Sequence, residues 1–159
     1  LGDCMQLRLI LGDQLNAGHS WYRERRDDVV YVMMEIRSET DCVRHHAQKV
    51  LALFAAMRRF AAALQAAGHR VHYLRIGDAA NRHDFAANLG WLATHYGASS
   101  LACQQADERR VDALLAALPQ QLGLPPASGT PAEALASWTQ AWARCWPSCG
   151  APGWLGVPR

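Results

Sequence analysis

A chain of 159 residues is the length of a single domain, and with half of them hydrophobic it can fill one core. Its net charge of +2 is too small to point to nucleic acid, and five scattered cysteines (Cys4, Cys42, Cys103, Cys145, Cys149) argue against both a secreted disulfide framework and a zinc site. No run approaches the roughly 18 apolar residues of a membrane span, and the apolar run 5–11 lacks a basic leader and a cleavage site, so a cytoplasmic protein without a membrane partner is expected.

In chain order, Gln6–Leu11 is a short β-rich run that opens into a loop at Gly12-Asp13, followed by turn chemistry at Asn16–His19. Val29–Met34 is a second, continuously apolar strand, the pattern of a parallel sheet covered on both faces. A long helix is predicted over Glu39–Ala67, with Val43, Val50, Leu53, Phe54, Met57, Phe60, Ala61 and Leu64 recurring at spacings of three and four, and Gly68 as its stop. Arg70–Ile76 closes a strand–helix–strand unit. A helix over Asp84–Tyr96 ends at Gly97, Leu101–Gln104 is a weaker fourth strand, and a helix over Asp107–Leu122 should break or kink at Pro119. The alternation predicts an α/β fold: a Rossmann-like, doubly wound, mainly parallel sheet of four to five strands with helices on both faces.

The chain changes character after this. Residues 1–118 hold 14 of the 16 basic and 13 of the 14 acidic residues, whereas six of the seven prolines and four of the six tryptophans follow Leu124. The division is therefore an α/β domain over 1–123 and a Pro/Trp-rich tail over 124–159. Trp138, Trp142 and Trp146 recur every four residues, either as a stripe that packs on the sheet or a partner, or within a tail not selected to fold. The composition break favours the second, because an exposed tryptophan stripe invites aggregation.

Ligands of open α/β sheets sit outside the carboxyl ends of the strands, which singles out three segments. Gly12-Asp13-Gln14-Leu15 follows the first strand: the glycine allows close backbone approach, and Asp13 and Gln14 offer a carboxylate and an amide to a heterocycle or a ribityl chain, or else make a tight strand exit. Neither phosphate-loop pattern is present. Glu35 ends the second strand, where it can accept from ring N–H groups or favour the start of the next helix. Arg44, His45 and Lys49 cluster within a turn and a half of helix, as an anion-facing set or a solvated basic face. Adjacent His45 and His46 diverge by about 100° on a helix, which excludes a HExxH-type zinc site. No nucleophile with an assignable base is visible, and Cys42 and Cys103 read as small core residues.

Taken together, LRLILGDQL at 7–15, VVYVMMEIRSET at 29–40, VRHHAQKVLALFAAMRRFAAALQAAGHRVHYLRI at 43–76 and the QxxDExRV pattern at 104–111 resemble the photolyase-related family that includes the iron–sulfur bacterial photolyases and cryptochromes. The resemblance covers about residues 5–123. It implies an N-terminal antenna-binding α/β domain whose pocket, for a dimethyl-ribityllumazine chromophore, is lined by Gly12, Asp13, Gln14, Leu15, Glu35, Arg44, His45 and Lys49. It further implies a helical domain carrying FAD and a four-iron–four-sulfur cluster, with DNA repair or photoreception belonging to the full-length parent. That helical domain is expected to be missing here, since the chain ends first and Cys145 and Cys149 do not match widely spaced cluster cysteines. Two departures stand out: Cys42 occupies a position where the family is expected to have tyrosine, and Arg109 one where it is expected to have tryptophan.

The expected role is therefore chromophore binding without catalysis by this chain alone, with DNA engaged only through the parent. The alternative is a stand-alone small-ligand or protein-interaction module on the same fold. Its basic residues are interspersed with acids, so negligible affinity for DNA is expected.

Overall fold

The computed structural model describes residues 5–37, 47–107 and 109–124. Four strands, β1 (Met5–Leu9), β2 (Val29–Met34), β3 (Val71–Leu74) and β4 (Ala98–Cys103), form one sheet in the order β3-β2-β1-β4. Every pairing is parallel. The described helices are α1 (Ala47–Ala66), α2 (Phe85–Tyr96) and α3 (Arg109–Gln121), with a short 3₁₀ turn at Ser20–Tyr22.

β2 explains the architecture, because all six of its residues are buried. Val29, Tyr31 and Met33 pack with Phe54, Met57, Ala61 and Leu64 of α1. Val30, Val32 and Met34 pack with Phe85, Leu89 and Leu92 of α2 and with Val111, Leu115 and Leu118 of α3. Period-two alternation thus sends successive side chains into two separate cores. The apolar stripes of the helices fit them, at spacings of three and four. On β1, Leu7 and Leu9 join the α2/α3 core. Arg8 points to the other face, where its guanidinium lies over the rings of Trp21 and Tyr31, 5.1 and 5.9 Å from their centroids.

The α/β reading holds: the sheet is four-stranded and wholly parallel, with helices on both faces. Several boundaries move: β3 shortens from Arg70–Ile76 to Val71–Leu74, and β4 runs Ala98–Cys103 rather than Leu101–Gln104. β1 ends at Leu9 rather than Leu11, and α3 is not broken by Pro119 but continues to Gln121. The proline sits in the last turn, where its missing N–H forfeits a single helical bond. Residues 38–46, which include the expected helix start with Arg44 and His45, lie outside the described residues, as does the tail from 125 onward.

α2 is punctuated at both ends. The Asp84 side chain accepts from the backbone N–H of Ala87 at 2.8 Å, and Gly97, at φ 61°, donates its N–H to the carbonyls of Ala93 and Thr94. Asp84→Ala should cost about 1 kcal/mol of stability, readable as a shift in the urea midpoint with unchanged slope.

Candidate functional site

The strand order sets where a ligand can sit. From β1 the chain steps outward to β2 and β3, then returns to place β4 on the opposite side of β1. The connections leaving β1 and β4 therefore diverge, and a crevice opens at the carboxyl ends of these strands. A cavity of about 340 Å³ lies there. Ile10 to Asp13 from the β1 exit, Met34 and Ile36 from the β2 exit, Lys49, Val50, Leu53, Phe54 and Met57 from α1, Phe85 from α2, Ala106 from the loop after β4 and Val111 from α3 line it. Twelve of these fourteen residues present apolar side chains or glycine, and Asp13 and Lys49 are the two charged groups.

Gly12 makes this geometry possible. A Cβ at this position would approach Leu53 Cδ1 and the Met57 sulfur at 3.1 Å each, tighter than ordinary contact. The absent side chain lets the β1 exit run against α1 and leaves the space beside them open.

Of the expected site residues, Gly12, Asp13 and Lys49 come together around the cavity. Leu15 packs instead against the core beneath α1. The Gln14 amide is engaged within the protein: Oε1 accepts from the backbone N–H of Leu11 at 3.1 Å, and Nε2 donates to the carbonyls of Gln105 at 3.0 Å and Gln104 at 3.4 Å.

Glu35 is fully buried and anchors a second network. Oε1 accepts from Arg58 Nε at 2.6 Å and from the Tyr73 hydroxyl at 2.7 Å. Oε2 accepts from Arg58 Nη2 at 2.8 Å and from the backbone N–H of Ile76 at 2.9 Å. Burial by itself would push this carboxyl's pKa up, but the bonds from Arg58, Tyr73 and Ile76 outweigh it and hold the pKa below the ordinary value of 4.5. Burial, reinforced by the Glu35 charge, raises the pKa of the Tyr73 hydroxyl, which stays a donor at physiological pH.

The network continues through the backbone. The Glu35 carbonyl accepts from Asn81 Nδ2 at 2.7 Å, and Asn81 Oδ1 accepts from Asn88 Nδ2 at 3.0 Å and from the N–H of His83 at 2.9 Å. Asn88 Oδ1 in turn accepts from the N–H of Arg82 at 2.8 Å. These bonds pin the loop between β3 and α2, in which His83 adopts φ 58°. Arg58, Tyr73, Asn81 and Asn88 all escape the sequence reading. Only Asn88 left a signal: it is a polar residue within the buried stripe Phe85, Asn88, Leu89, Leu92. Cys103 is packed against the α2/α3 core, and burial pushes its thiol up to about 12, which leaves it protonated and unreactive.

Comparison with known proteins adds a relationship to this geometry. The family model described as deoxyribodipyrimidine photo-lyase-related protein matches residues 8–135. Over 87 residues the chain is 40% identical to a protein of Agrobacterium fabrum (strain C58 / ATCC 33970) named "(6-4) photolyase". The matched stretch is 53% of this chain and 17% of that protein.

Proposed function

The chain belongs to the deoxyribodipyrimidine photo-lyase-related protein family, and from that premise we propose that its α/β domain binds a flat heterocyclic antenna chromophore of the dimethyl-ribityllumazine type at the carboxyl ends of its strands. The observation that carries this is the cavity itself: an apolar box of about 340 Å³, at the lower end of the range for small-molecule sites, with one carboxylate and one ammonium on its wall. A planar ring gains from the apolar walls of Met34, Ile36, Phe54 and Met57. Asp13 is suited to accept from a ring N–H or ribityl hydroxyl, and Lys49 to donate to a ring carbonyl.

Light-driven DNA repair or photoreception, with FAD and a four-iron–four-sulfur cluster in a helical domain, is proposed for the full-length parent only. The match to the Agrobacterium protein reaches 17% of its length. The role of this domain in that scheme is to hold a light-absorbing ring rigidly, shielded from water. DNA enters through the parent alone.

The test is an equilibrium titration of the purified chain with dimethyl-ribityllumazine, followed by ligand fluorescence. Saturable one-to-one binding is expected. Absence of binding by a chain with folded-state circular dichroism would overturn the proposal.

A further inference from the structure

The ladder between β1 and β4 ends at the pair Leu9 and Cys103, below the cavity. Beyond it the two chains diverge, yet both contribute to the cavity wall: Leu11, Gly12 and Asp13 on one side, Ala106 and Val111 on the other. The Gln14 side chain spans the gap. Its Nε2 donates to the carbonyls of Gln104 and Gln105 in the far loop, while its oxygen takes the Leu11 N–H of its own loop. Its own backbone N–H donates to the Leu11 carbonyl at 3.1 Å, which closes the turn that aims the side chain. Gln14 itself does not line the cavity.

The Gln14 amide is thus engaged at both ends within the protein, Nε2 with two carbonyls and Oε1 with one N–H. From these contacts we infer that Gln14 is a positioning residue: it clasps the exits of β1 and β4 and thereby fixes the width of the cavity without touching what binds there. The clasp replaces the missing ladder bonds at the point where the fold's topology separates the two loops. In its effect on a ligand, this inference rests on the antenna reading above; the clasp itself does not.

Two variants separate its halves. Gln14→Met keeps the length of the side chain and removes every side-chain hydrogen bond. Gln14→Glu keeps an acceptor for the Leu11 N–H but sets a carboxylate against two carbonyl oxygens. Hydrogen exchange without ligand is measured first. In Gln14→Met the amides of Leu11 and of residues 104–107 should exchange about tenfold faster, the equivalent of one net hydrogen bond. In Gln14→Glu, Leu11 should remain protected while 104–107 loosen. Unchanged exchange in both variants would overturn the clasp.

The wild type and Gln14→Met are then titrated with dimethyl-ribityllumazine and with dimethyllumazine lacking the ribityl chain. A positioning residue weakens both ligands by the same factor, about tenfold, and leaves the absorption band of the bound ring unmoved. Loss confined to one ligand, or a shifted band, would show direct contact and overturn the inference. If the wild type binds neither ligand, the antenna reading fails, and the exchange data still decide whether the clasp exists.

Discussion

Glu35→Ala is expected to lower the thermal midpoint by about 10 °C, corresponding to roughly 3 kcal/mol of stability. The fully buried carboxylate accepts four hydrogen bonds that join β2, β3 and α1. Its removal strands the Tyr73 hydroxyl and the Ile76 N–H, each costly to leave unpaired. The loss stops short of the upper range for broken buried pairs because the Arg58 side chain is 46% exposed and can rehydrate. Glu35→Gln, which keeps the shape and two acceptor positions, should lose about half as much. A pH dependence follows. The carboxyl's folded-state pKa is held below 4.5, so the stabilisation is present above that pH and is lost as the pH falls through the depressed value. Midpoints measured by circular dichroism from pH 7 to pH 3 should show this acid loss in the wild type and a shallower one in Glu35→Gln. Equal slopes in the two proteins would count against the assignment.

Gly12→Val should weaken chromophore binding while leaving the domain folded. Its Cβ alone meets Leu53 and Met57 at 3.1 Å, and the two added methyls extend into or beside the cavity. Overpacking of this kind costs about 1–3 kcal/mol of stability. Lost ring contacts of about 2 kcal/mol weaken binding roughly thirtyfold. Gly77→Val is the control, since a Cβ there meets nothing within 4 Å, and it should bind as the wild type does. Equal affinities in all three proteins would place the ligand somewhere other than this cavity.

The fold was legible where the chain repeats a physical pattern. A six-residue apolar run is buried on both faces, and α1 shows its stripe as Phe54, Met57, Ala61 and Leu64. Boundaries were less so, because whether Ile10 and Leu11 belong to a strand depends on where β4 stops pairing with β1. At the site, the rule for strand ends pointed to Gly12 and Asp13, which line one cavity together with Lys49 of α1. The partners of Gln14 and Glu35 were not. They lie 90 and 91 residues away for Gln14, and 23, 38 and 41 for Glu35, and only the sheet register brings them together. A polar residue beside a strand end offers the same side chain whether its hydrogen bonds go to a ligand or to the protein. Local sequence carries no sign of the difference.

The four methionines give a direct test of where the chromophore sits. Met34 and Met57 line the cavity, whereas Met5 opens β1 at the opposite end of the sheet. With ¹³C-methyl-labelled methionine, adding dimethyl-ribityllumazine should shift the Met34 and Met57 methyl resonances saturably and leave that of Met5 in place. Binding that moves Met5, or that leaves Met34 and Met57 unmoved, would contradict a chromophore site at the carboxyl ends of the strands.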